Sequence, residues 1–417
     1  MSGTDYDVIV VGAGPGGSTA AGLLAKRGYS VGLFDKETFP RDKPCGDAIS
    51  GKSVRVLEEL DIVEWVEERP HALANGVVFS SPKGDVIQIP FPMKKAAEWR
   101  VEQGASPYTN PGYVCRREVY DNIVFEAALK YGAEAHQGTA VKDVTWDNGT
   151  VNGIETEDGE RYTAKCVIGA GGALCPVARA IGAYDRDPDH WVAAIRVYWK
   201  GVKDMTDDIE LHFLDDVIPG YFWIFPLDDG MANVGVGMLE SKIKEEGKER
   251  DLKELLEKAY EHPLFKERFA EAEKVEGSQR GWILPLGSKQ RPIHGNGWLL
   301  VGDSASLIDP FTGEGIGNAM MSASLAAERL DTCLDNGGAT RSNLAPYEAA
   351  VRDEMWDELK TSHKLQKLGQ HKWLLNFVIS RAANRPQVAE IISDMLADRD
   401  KKDELTNWWF YLKLLFA

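Results

Sequence analysis

The 417-residue sequence predicts an α/β protein: a parallel βαβ domain assembled from both ends of the chain, an antiparallel β domain inserted within it, and a helical C-terminal region. Three observations predict this. Residues 5–36, DYDVIVVGAGPGGSTAAGLLAKRGYSVGLFDK, contain a β-branched strand, a glycine turn, an Ala/Leu-rich helix ending near Gly28 and a second strand, the length and order of a βαβ unit. From Trp191 to Glu240 the segments WVAAIRVYWKG, IELHFL, YFWIFPL and MANVGVGML alternate as antiparallel strands do. Finally, WLLVGDSASLIDPFTGEGIGNAMMSASLAAERL returns to strand, glycine turn and long helix. The expected boundaries are 1–185 with 281–335 for the βαβ domain, 186–280 for the inserted sheet and 336–417 for the helical region.

Between these landmarks each element has a local cause. EVYDNIVFEAALKY (118–131) shows helical apolar spacing, with Gly132 as a C-terminal stop. The stretch TAVKDVTWDNGTVNGIETEDGERYTAKCVIGAG reads as short strands joined at Asn-Gly and Asp-Gly turns, ending in a buried strand, CVIGAG. DLKELLEKAYEH is a charged helical segment, and the chain beyond residue 340 reads mainly as helices. No repeat of solenoid period and no low-complexity tract interrupts this order.

Composition bounds the function. The chain is 43% hydrophobic and 27% charged, the mixture of a globular protein. With 65 acidic and 48 basic residues its formal charge is -17, which disfavours nucleic acid and anionic membrane surfaces. Five cysteines, Cys45, Cys115, Cys166, Cys175 and Cys333, lack C-x-x-C spacing, so no disulfide framework, zinc site or other metal centre is expected and a reducing cytoplasm fits. No signal peptide is evident, and no apolar run reaches the roughly 18–20 residues that span a bilayer; contact with lipid is expected to be peripheral.

The chemistry starts at Gly12-x-Gly14-x-x-Gly17, with Pro15 and Gly16 opening the helix. Such glycines give a tight turn, close backbone approach to a pyrophosphate and close helix-to-strand packing, while the helix N-terminus offers unpaired N–H groups. Asp35, 18 residues after Gly17 and followed by Lys36, ends the next strand where a carboxylate accepts from a ribose hydroxyl and repels a 2′-phosphate. NAD and FAD both satisfy this pattern. The stretch 301–320, VGDSASLIDPFTGEGIGNAM, favours FAD: its glycines Gly313, Gly315 and Gly317 open a second helix at Ile316, and a second helix dipole suits a charge-accepting flavin ring.

Together GAGPGGSTAA, DKPCGDAIS, CRREVYDNI, YFWIFP and VGDSASLIDPFTGEGIGNAM resemble the glutathione-reductase-like FAD proteins of aromatic-hydroxylase type, and within them the geranylgeranyl reductase family. The resemblance covers most of the chain. It implies an FAD-binding Rossmann domain, pyrophosphate and ribityl contacts at Gly302 and Asp303, a flavin-contacting Arg117, a further cofactor contact at Val141, and Cys45, Gly46 and Ala48 beside the isoalloxazine. Whether Cys45 acts as a reactive thiol or only shapes the ring pocket stays open, because no neighbouring His or Lys except Lys43 is evident in sequence.

YFWIFP places Tyr221, Trp223 and Phe225 on one face of a strand. Spacing alone reads them as sheet core; the resemblance makes them the wall of a tunnel for an apolar chain, with Tyr221 and Cys45 as candidate proton-transfer residues. One departure concerns GAGGALC, where Gly171 and Cys175 replace the aspartate and serine that the family usually shows. This counts against an adjacent NAD(P)H site and points to a separate reduced donor such as a ferredoxin. The tail LTNWWFYLKLLFA is expected to pack on the protein's own core, membrane headgroups being the alternative.

The resemblance thus implies FAD-dependent reduction of isoprenoid double bonds in geranylgeranyl chains of archaeal-type ether lipids, by hydride transfer from reduced flavin. Two other classes share the scaffold: an FAD monooxygenase or halogenase, and a FixC-like electron-transfer flavoprotein.

Overall fold

A computed structural model describes residues 4–91, 112–245, 248–385 and 388. The opening unit forms as its pattern dictates. Strand β1 (Tyr6–Val11) runs through the middle of a parallel sheet, helix α1 (Pro15–Lys26) follows, and β2 (Val31–Asp35) lies parallel beside β1 with Val8 opposite Val31. The parallel strands stand in the order Glu134–Gln137, β2, β1, Arg161–Gly169, Trp298–Leu300, so the last strand comes from far along the chain. Covered on both faces, β1 buries Val8, Ile9 and Val10 completely, as central parallel strands do.

The turn chemistry is visible in the hairpin Val141–Asp147 and Thr150–Thr156, where Asn148 and Gly149 take φ of 48° and 79°, the paired left-handed values of a type I′ turn. Helix Arg117–Lys130 packs against α1 and ends before Gly132. Helix Ile316–Cys333 also packs along α1.

The second sheet draws on more of the chain than the 186–280 segment expected for it. Its order is Glu273–Lys274, Trp191–Lys200, Met231–Leu239, Tyr221–Pro226, Asp208–His212, Gly76–Ser80, Val86–Pro90, and Arg280–Pro285 also pairs with Trp191–Lys200. All these pairs are antiparallel except Asp208–His212 with Gly76–Ser80. The reason is an exposed edge: Asp208–His212 would present unpaired backbone groups, and the strand from the first part of the chain satisfies them. One face of this sheet buries Phe222, Ile224 and Val234 against Tyr260, Phe265 and Phe269. The other face looks toward the parallel domain.

Helices Arg341–Val351, Asp357–Leu368 and Lys372–Asn384 follow, in the region expected to be helical. The aromatic tail LTNWWFYLKLLFA lies outside the described residues. Among the described residues no helix is long and apolar enough to cross a membrane. All five cysteines are free thiols.

Candidate active site

A cavity of about 1850 Å³ lies between the helix N-termini of the parallel domain and the inner face of the second sheet. Its size exceeds the roughly 300–1,000 Å³ of a pocket for one drug-sized ligand, leaving room for a cofactor and an elongated second molecule. Every residue expected to hold cofactor or substrate lies on its wall except Gly17. A Cβ at Gly17 would fall 1.7 Å from the carbonyl oxygen of Gly12, so this glycine serves helix-to-strand packing.

The cradle is formed by backbone. Gly12 has φ +104°, and a Cβ there would stand 2.5 Å from the Ala170 carbonyl oxygen. Gly14 caps α1 without any side-chain hydrogen bond, and a Cβ on it would meet only Arg41 Nη2, at 3.7 Å. Free N–H groups therefore face open space, as a pyrophosphate needs. Asp35 is fixed by two donors: Ala13 N–H to Oδ2 at 2.6 Å and Glu37 N–H to Oδ1 at 2.9 Å. Asp35 lines the cavity, so its remaining lone pairs are where a ribose hydroxyl would donate. Lys36 and Val141 extend the same wall.

The second helix start converges on the first. A Cβ at Gly16 would sit 3.2 Å from the Ala319 carbonyl oxygen, and Gly315 caps helix Ile316–Cys333 with no side-chain hydrogen bond. Asp309 Oδ1 accepts from the N–H groups of Phe311 and Thr312 and so shapes the turn that leads to Gly313. Asp303 and Gly302 line the cavity beside these turns, and Lys43 Nζ stands 3.9 Å from Asp303 Oδ2. Burial, reinforced by repulsion from Arg117, holds the Lys43 ammonium below its ordinary pKa although 23% of the side chain opens to solvent space.

The DKPCGDAIS loop ties the two sheets together across this cavity. Arg41 donates to Asp121 at 2.6 Å, and Asp121 is also the partner of Arg117 at 2.5 and 2.8 Å. Burial works against the Arg117 charge, but Asp121 outweighs it and keeps the guanidinium protonated well beyond its ordinary range. Cys45 adds to what favours the Arg117 charge, a neighbour invisible in the linear sequence. Arg196 reaches the other way, pairing with Asp42 at 2.8 Å and stacking 3.9 Å from the centre of the Tyr198 ring.

At the centre of the loop stands Asp47, which the motif reading passed over. It is fully buried with φ +65°. Tyr198 O–H and Asn233 Nδ2 donate to its Oδ2 at 2.7 and 2.8 Å. Asn233 Nδ2 also donates to the Cys45 carbonyl at 2.7 Å, and Trp223 Nε1 donates to Asn233 Oδ1 at 2.8 Å. Asp47 Oδ1 has no partner. Burial pushes the Asp47 carboxyl up to about 6, against the pull of Arg196, Tyr198, Asn233 and Arg117. Nothing in the linear motif marked Asp47; its left-handed φ, which Asp is among the few residues to tolerate, shows only in the folded loop.

Tyr221, Trp223 and Phe225 share the cavity face of their strand, while Phe222 and Ile224 point into the core behind it. The strand thus divides its side chains between the cavity and the core. A Cβ on Gly46 would touch Phe225 at 3.0 Å, which shows how closely the loop rests on these rings. The Tyr221 hydroxyl donates to the Thr312 carbonyl at 2.7 Å, and burial holds its proton far more tightly than usual. Beyond Trp223 the wall continues through Leu211, Val77, Phe213 and Phe311.

A double helix-start cradle opposite an apolar sheet face fits a flavoprotein that binds FAD. The chain belongs to the FAD binding domain family, which it matches over residues 5–362, and it is an FAD-dependent oxidoreductase. It is 33% identical to a menaquinone reductase of Mycolicibacterium smegmatis, with 81% of this chain and 78% of the relative covered. It is 29% identical to a digeranylgeranylglycerophospholipid reductase of Methanocella arvoryzae over 88% of this chain and 87% of that one. A geranylgeranyl bacteriochlorophyll reductase-like protein of Thermoplasma acidophilum superposes with TM-score 0.78 at 25% identity, covering 91% and 92% of the two chains.

Proposed function

We propose that the protein reduces isoprenoid C=C bonds in geranylgeranyl chains, with archaeal-type ether lipids as the substrate class. The observation that carries this reading is the continuous apolar wall from Tyr221, Trp223 and Phe225 to Leu211, Val77 and Phe311, which opens from the cofactor cradle. Each methylene-sized group of a prenyl chain placed there gains about 0.8 kcal/mol. When bound and reduced, FAD supplies the hydride equivalent. The chain's own residues orient the alkene between the Cys45–Gly46 turn and the aromatic strand and keep water from it, which is what an unactivated double bond needs. Electrons are delivered by a separate reduced donor of ferredoxin type.

A second reading, the prenyl chain of a quinone, is favoured by the similarity to the mycobacterial menaquinone reductase. One experiment separates the two. Chemically reduced holoenzyme is incubated anaerobically with a geranylgeranyl ether lipid or with menaquinone, and flavin reoxidation and product mass are followed. The ether-lipid reading expects a gain of about two mass units per bond, one hydride plus one proton. A gain only on menaquinone that survives reoxidation of the quinol ring by air establishes the second reading, and an oxygenated product under air with no such gain on either lipid refutes both.

A further inference from the structure

The apolar wall accounts for a prenyl chain and leaves the polar end of such a ligand without a partner. One strand of the second sheet carries a matching gradient. Along Arg280–Pro285 the cavity-facing residues are Arg280, Trp282 and Leu284, a cation, an indole and an aliphatic group in succession over about 13 Å. Arg280 stands directly opposite Arg196 on the neighbouring strand, and both line the cavity. Like charges in that register repel, and only one of the two is neutralised by the chain. Arg196 is buried and takes Asp42 at 2.8 and 3.0 Å, whereas the exposed Arg280 side chain has no hydrogen bond or ion pair among the described residues. Lys43 joins Arg280 on the same wall. Its ammonium lies 5.4 Å from the centre of the Trp282 ring and 3.9 Å from Asp303 Oδ2, beyond hydrogen-bond reach, and it donates to nothing among the described residues. In a chain of charge -17, whose overall field repels anions, two accessible cations without donor partners on a cavity wall are a local exception.

We infer that Arg280 and Lys43 bind a phosphate ester at the polar end of the prenyl substrate. The inference rests on the prenyl-lipid reading above and selects within it: a glycerophosphate lipid supplies the anion, and a menaquinone does not. A guanidinium fork and an ammonium point charge are the two donors that suit phosphate oxygens. The position also fits the path of the chain. Lys43 is two residues from Cys45, at most about 7 Å along the backbone, and a Cβ on Gly46 would touch Phe225. A chain leaving the phosphate therefore passes the Cys45–Gly46 turn and reaches the aromatic strand.

The test measures binding to oxidised holoenzyme, so no double bond has to react. A geranylgeranyl diether lipid ending in glycerophosphate and the same lipid ending in a free hydroxyl are titrated into wild type, Arg280→Gln, Arg280→Lys and Lys43→Gln. Wild type should prefer the phosphorylated lipid at least about tenfold, and each Gln variant should cut that preference about threefold or more. Arg280→Lys keeps the charge and should retain most of the preference, and raising salt from about 0.05 to about 0.5 M should weaken it. Bound FAD and its visible spectrum should be the same in all four proteins. Oxidised nicotinamide dinucleotide phosphate is the competing source of phosphate. If it binds more tightly than the phosphorylated lipid and through the same two side chains, the cations serve a nucleotide and the inference fails. Equal affinity for the two lipids, a preference that survives both Gln substitutions, loss of FAD from Lys43→Gln in place of the preference, or no binding of either lipid also overturns it. If the preference holds while reduced holoenzyme hydrogenates no prenyl lipid, the alkene reading fails and the phosphate site stands.

Discussion

The burial of Asp47 has a consequence for stability that needs no cofactor or substrate. Its carboxyl is raised from 3.8 to about 6 in the folded protein, a displacement of about two units. At about 1.36 kcal/mol per unit this corresponds to about 3 kcal/mol of linked folding free energy. A carboxyl raised on folding binds more protons native than unfolded, so its contribution is absent above the folded pKa. It grows as pH falls, and is complete below the unfolded value. Burial raises other carboxylates too, Asp121 and Glu210 among them, but arginine partners, with His212 at Glu210, outweigh it and lower them on folding, so they run the opposite way. The clean quantity is therefore the difference between wild type and Asp47→Asn, measured by urea unfolding of the apoproteins at a series of pH values. Between about pH 7 and about pH 5 the wild type should gain about 1.4 kcal/mol relative to the variant, and the full amount near pH 3 if both still fold. A difference that is flat with pH, or that grows as pH rises, would falsify the assignment of a raised carboxyl.

Two further outcomes are expected. Asp121→Asn leaves Arg117, whose side chain is 4% exposed, and Arg41 without their shared carboxylate, and unfolding should lose about 3–5 kcal/mol. A loss under about 1 kcal/mol would show that the pair is neutral to the fold. Gly14→Val should leave apoprotein stability within about 0.5 kcal/mol, because φ −66° and ψ −177° suit valine and only Arg41 Nη2 lies near. FAD affinity, read by flavin fluorescence, should nevertheless fall at least about tenfold, equivalent to about 1.4 kcal/mol, since the side chain fills the cradle. Unchanged affinity would place the pyrophosphate elsewhere.

The sequence by itself determined the parts of this protein whose physics is local. The βαβ opening follows from strand, glycine turn, helix and acid in order, and Asn148-Gly149 fixes a hairpin through left-handed dihedrals that few other residues accept. The alternation in YFWIFP told which side chains share a face, though not that one face meets a cavity and the other a helix pair. Tertiary structure alone decided the pairings between distant segments. Gly76–Ser80, with Val86–Pro90 beside it, extends a sheet whose remaining strands begin beyond residue 190 because an unpaired edge needs a partner, a demand with no signature in the partner's own residues. Arg117 meets Cys45, and Tyr198 with Asn233 meets Asp47, only when the two sheets close on the DKPCGDAIS loop. Asp47 carries no mark in the linear chain that separates it from a solvated aspartate. Its raised carboxyl is created by the desolvation that packing imposes, and desolvation is a property of the assembled neighbours.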